Sequence, residues 1–73
     1  MYYTCKIEIS LEGSETRDMR SFDNFDGALT RLHSDMASKI NKVKSILVII
    51  IDGTGNTLRR EYWAAPTDDE EVI

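Results

Sequence analysis

The run Ser45-Ile46-Leu47-Val48-Ile49-Ile50-Ile51-Asp52, SILVIIID, sets six aliphatic residues side by side. Side chains alternate between the faces of an extended strand, so Leu47, Ile49 and Ile51 share one face and Ile46, Val48 and Ile50 the other. A half-exposed strand alternates apolar with polar residues. This one is apolar on both sides and calls for two covers, whereas the rest of the chain offers one helix. Leaving three such side chains in water forgoes about 1.5–3 kcal/mol each. Against a small-domain stability that starts near about 5 kcal/mol, that loss is large. The second cover is therefore expected to be another copy of the same chain. The expected contact consists of Ile46, Val48 and Ile50, with Tyr2 and Trp63 at its margins. The turn after the strand leaves the inner set open, because a four-residue loop pairs Ile51 with Leu58 and a five-residue loop shifts the register by one.

Outward from this strand, the pattern gives an α+β domain. From Tyr3 to Leu11 the odd positions Tyr3, Cys5, Ile7, Ile9 and Leu11 are apolar, while Thr4, Lys6, Glu8 and Ser10 are polar. That is a strand whose odd face is expected to be buried. Glu12-Gly13-Ser14 reads as a turn, and Glu15 to Phe22 as a shorter strand pairing back, with Met19 opposite Ile7. Asp23 is expected to cap a helix whose apolar stripe is Phe25, Ala28, Leu29, Leu32, Met36, Ala37 and Ile40. Asp26, Thr30, Arg31, Ser34, Asp35, Ser38 and Lys39 are assigned to its polar side. Asn41 suits the helix exit. Asp52-Gly53-Thr54-Gly55-Asn56 signals a hairpin into a last strand, Thr57 to Ala64. The predicted architecture is a two-layer ββαββ domain over residues 1–66, one helix on an antiparallel-rich sheet, reducing to βαββ if the second strand fails to form.

Composition narrows the function classes. The 73 residues carry a net charge of −4, and Asp68, Asp69, Glu70 and Glu71 account for all of it. Residues 1 to 67 hold nine acidic and nine basic side chains, so a body-wide field for nucleic acid is not indicated. The segment 67–73, TDDEEVI, is expected to be a solvated acidic tail. One cysteine allows no internal disulfide and points to a reducing, cytoplasmic setting. Cys5 is expected to serve as a small buried hydrophobe. The N-terminus lacks the pattern of a signal peptide, and no apolar run approaches the length of a membrane span.

Motifs for catalysis are wanting. The glycines of IDGTGNT lead into another strand, not into the helix a phosphate loop requires. As a calcium loop, the same stretch has Thr57 at the sixth position and Trp63 at the twelfth, where glycine and an acidic residue belong. His33 is expected at the core margin, and no group accompanies it and Cys5 to form a nucleophilic site. The chain is accordingly expected to be no enzyme and to need no cofactor or metal. The remaining chemistry is a binding set of Arg59, Arg60, Tyr62, Trp63 and Lys6, residue types that favour contact with a protein or with a small anionic ligand.

The segments RSFDNFDGAL and REYWAAP, on a very short acidic-tailed chain, resemble those of small accessory proteins encoded by bacteriophages and prophages. The resemblance implies a non-catalytic binding role in the host bacterial cytoplasm, such as stoichiometric inhibition of a host-defence protein. It transfers no site residues. Three expectations follow: a homo-oligomeric protein-binding module, dimer favoured; a sequestering protein for a nucleotide-like anion at a subunit interface; and a minor structural or assembly part of a phage.

Overall fold

The computed structural model describes residues 1–66; the acidic segment 67–73 lies outside the described residues. The elements run β1 (Tyr2–Ile9), β2 (Glu15–Phe22), α1 (Phe25–Lys39), β3 (Ser45–Asp52) and β4 (Thr57–Ala64). They form one α+β unit, a four-stranded sheet in the order β2-β1-β3-β4 with every neighbouring pair antiparallel. The helix lies across one face, mostly over β3 and β1.

Both hairpins use the same device. Ser10 and Ser14 close the three-residue loop Leu11-Glu12-Gly13, and Asp52 and Asn56 close Gly53-Thr54-Gly55. The third loop residue is a glycine at positive φ in each, +94° at Gly13 and +93° at Gly55, as a type I turn followed by a left-handed residue requires. The first loop thus starts one residue earlier than the sequence suggests. Met19 lies opposite Cys5 rather than Ile7, and Leu11 is a turn residue, 63% exposed. In the second hairpin Ile51 faces Thr57 and Ile50 faces Arg59, so Leu58 is an extra residue in the ladder. Beyond that irregularity the strands keep the register that a four-residue loop would have set.

Asn24, not Asp23, caps the helix: its extended backbone starts the turn and its Oδ1 accepts the Gly27 N–H at 2.7 Å. Asn41 leaves the helix at φ 70°. The inward stripe differs from the expected one. Ala28 and Leu32 are fully buried and Phe25, Leu29 and Met36 pack beside them, but Ala37 and Ile40 are exposed while Asp35 is only 8% exposed. Asp35 falls three residues after Leu32 on the stripe, and Arg31 Nε approaches its carboxylate at 3.2 Å. Lys39, one turn further on, reaches Glu8 of β1 at 3.5 Å.

The core lies between α1 and the even residues of β3. Ile46, Val48 and Ile50 are 0% exposed and pack with Ala28, Leu32 and Val43, flanked by Tyr2, Phe22 and Trp63. Tyr2 meets Phe25 edge to face, with ring centroids 5.9 Å apart. The even face of β1, Thr4, Lys6 and Glu8, therefore lies under the helix, and the odd face that the sequence assigns to the interior does not. The physical reason is chirality. β2 and β3 run parallel with β1 between them, so β2-α1-β3 is a crossover unit, and such units are right-handed. Ser10 donates its N–H to Ser14, which turns the backbone groups of even β1 residues toward β2. For L-residues that arrangement puts even side chains on the face from which the crossover is right-handed.

Candidate functional site

The odd residues of β1, β2 and β3, with the even residues of β4, form the face opposite the helix. Residues directly opposite in an antiparallel pair share a face, so the registers assemble rows across the sheet. One middle row is Arg17, Ile7, Leu47 and Tyr62, and the next is Met19, Cys5, Ile49 and Arg60. Ile9 lies beyond the first row, and Tyr3 and Ile51 beyond the second. The inner two strands thus present an unbroken apolar field, although no element of the described chain lies over it. Cys5, Ile7, Ile9, Leu47, Ile49 and Ile51 are only part-buried, and Met19 and Tyr62 at the edge strands are 62% and 56% exposed. A shallow depression runs along β1 and β2 over Cys5, Ile7, Arg17 and Met19.

The interface set expected from the sequence is corrected here. Ile46, Val48 and Ile50 are the centre of the monomer's own core, with Tyr2 and Trp63 packed at its flank, so they cannot present a contact to a second copy. The face left open belongs to Leu47, Ile49 and Ile51, the other half of the same strand. Cys5 likewise belongs to the open face and is part-buried.

The expected binding set is divided by strand alternation. Arg60 and Tyr62 stand on the open face, while Arg59 and Trp63 point to the helix side. Arg59 is occupied by Glu61 at 2.9 Å. Lys6 is on the helix side as well, 3.4 Å from Glu8. A single pocket made of all five residues does not exist. Arg17 and Arg20 pair with Glu15 and Asp18 at 2.6 and 3.2 Å, so among the described residues Arg60 is the arginine without a carboxylate partner. It projects beside Ile49 and is two residues from Tyr62 on the same strand.

Other candidate chemistry is not brought together. Cys5 faces away from the layer that carries His33, and His33 is exposed. The Asp52 loop spends its polar groups on itself: Asp52 Oδ1 accepts from the Thr54 hydroxyl at 2.7 Å, the Thr54 N–H at 2.9 Å and the Asn56 N–H at 3.0 Å. The Thr54 hydroxyl, then the Asn56 N–H, hold this carboxyl below its ordinary value. Among the described residues no three His, Cys, Asp or Glu side chains gather where they could hold a metal ion, and no helix is long and apolar enough to cross a membrane. The chain matches no protein-family model, no curated protein and no solved structure at a significant level.

The sequence does contain the signal that locates the open face. Glycine favours the left-handed position of a three-residue loop, so Gly13 belongs third and the loop begins at Leu11. A loop begun at Glu12 would shift the pairing by one and turn the odd residues toward the helix.

Proposed function

We propose that this chain is a small non-enzymatic binding protein that acts as a homo-oligomer, a dimer in the simplest form, by stoichiometric contact with a protein partner. The observation that carries this reading is the uncovered apolar face of the sheet. Soluble monomers rarely expose contiguous apolar patches beyond a few hundred Å². The whole face, strands of eight residues in a four-stranded sheet, spans about 26 by 19 Å, a projected area of about 500 Å², of which the two inner strands, continued by Met19 and Tyr62, form the apolar part. The resemblance to phage accessory proteins suggests a host protein as partner, a host-defence component among them. The neutral body supports a protein rather than nucleic acid as the object of binding. Size-exclusion chromatography with light scattering tests the homo-oligomer: a dimer mass at micromolar concentration is expected, and a monomer there overturns it.

A second reading is favoured by Arg60. An arginine without a carboxylate partner among the described residues, beside an exposed tyrosine, suits a small anion by charge, bidentate hydrogen bonding and stacking. Native mass spectrometry of gently purified protein should then show a bound species of defined mass that Arg60→Ala removes.

A further inference from the structure

We propose that the occupant of the open face is a second copy of this chain, packed sheet on sheet about a two-fold axis that passes close to Cys5. This rests on the homo-oligomer reading above and adds the surface, the packing mode and the residue at its centre.

The face has the area for it. Two projected faces of about 500 Å² remove about 1,000 Å² before side-chain relief is counted, which meets the minimum of about 1,000 Å² for a specific interface. Its charge permits self-association. The ionic groups on this face are confined to the outer strands, Glu15 and Arg17 on β2 and Arg60 on β4, and Arg17 is already neutralised by Glu15 at 2.6 Å. No charge stands on the inner strands to be buried unpaired. A lipid surface would need a basic rim, and this rim offers one cation in excess. Two such sheets pack with their strands roughly aligned and about 10 Å between them.

Both two-fold arrangements lead to the same centre. With the axis along the strands each row faces itself in reverse, and Cys5 meets Ile49 of the second copy. With the axis across the strands the two middle rows exchange, and Cys5 meets Ile7 of the second copy. Either offset leaves the two Cys5 Cα atoms about 11–12 Å apart, too far for a disulfide but with both thiols inside the dry centre. An edge-to-edge dimer through β2 or β4 would leave Cys5 as open as in the monomer.

The test uses the unmodified chain. The rate at which the Cys5 thiol reacts with a small disulfide reagent is followed over a protein dilution series, with mass measured by light scattering at each concentration. Ser34→Cys in a Cys5→Ser background, a thiol on the outer side of α1, reports reactivity away from the interface. The expected result is at least a tenfold slowing of Cys5 that appears with the dimer mass and vanishes on dilution, while the Ser34→Cys thiol is unaffected. A dimer whose Cys5 reacts at the monomer rate overturns the sheet-on-sheet packing and leaves the homo-oligomer standing. A monomer at every concentration overturns both. Slow reaction in a particle of monomer mass means that something other than a second copy covers the face, and overturns the proposal.

Discussion

The two faces of this sheet draw on the same strands yet differ in what the chain provides to cover them. On the helix side, Ile46, Val48 and Ile50 are fully buried, but β1 contributes Thr4, Lys6 and Glu8 beside them. On the other side β3 contributes Leu47, Ile49 and Ile51, and β1 adds Cys5, Ile7 and Ile9. The helix therefore covers the less apolar half of β1. Backbone handedness and turn register outrank apolar area in choosing the covered face, and the surplus is exported to the surface. The charged pair under the helix is retained by pairing: Glu8, with its side chain 13% exposed, meets both Lys6 and Lys39.

Adjacent residues of β3 separate the two faces most sharply. Val48→Asp would place a carboxylate at a 0% exposed site beneath α1, between Glu61 and a Lys6 that is already engaged by Glu8. Such a buried unpaired charge belongs to the class of substitutions that cost more than about 4 kcal/mol, so the variant should be largely unfolded by far-UV circular dichroism. Ile49→Asp, one residue later on the open face, should keep the native spectrum and lose the oligomer, read as a halved mass by light scattering. A folded Val48→Asp, or an Ile49→Asp that still associates, would break the distinction between the faces.

Gly13 offers a smaller and more pointed comparison. Nothing lies within 4 Å of a Cβ placed there, so Gly13→Ala adds no clash and tests the positive φ alone. The left-handed position costs a residue with a Cβ about 1–2 kcal/mol, which for a domain of this length is a fall in Tm of several degrees, at about 4–8 °C per kcal/mol. A melt unchanged by Gly13→Ala would mean that this glycine does not set the register.

That glycine also shows why the fold was legible and the site was not. Period locates β1 and α1, and the apolar run and the turn residues locate β3 and the two hairpin partners, because each is a local property of a few residues. The identity of the outward face is set by two facts of longer reach, where the first turn begins and which way the crossover winds. Alternation along β1 suggests that its polar even residues face water, and a turn one residue later would have made that true. For α1, the stripe ends where Asp35 and Lys39 turn inward, since their partners Arg31 and Glu8 allow charge at a margin that composition alone assigns to solvent. Arg59 and Arg60 read as one cationic pair in the sequence, but an extended backbone sends them to opposite faces.

The smallest effect concerns the second hairpin, whose closing residue carries a titrating group where the first carries a serine. Asp52 accepts three hydrogen bonds, foremost from the Thr54 side chain, and its carboxyl is held below the ordinary value of 3.8. A carboxyl whose folded pKa lies below its unfolded one contributes stability that is present above the unfolded value and lost as pH falls through the folded one. Asp52→Asn retains an acceptor oxygen without the charge. Near neutral pH the wild type should therefore unfold at a higher urea concentration than Asp52→Asn, and the gap should close as pH drops below 3.8. Ser10, the equivalent position in the first hairpin, accepts the Ser14 N–H through an uncharged hydroxyl at 3.0 Å. Ser10→Ala should accordingly lower the urea midpoint by an amount that does not change over the same pH range. If the Asp52→Asn gap is also insensitive to pH, the carboxylate acts there only as a neutral acceptor would, and the two hairpins are equivalent in charge as well as in geometry.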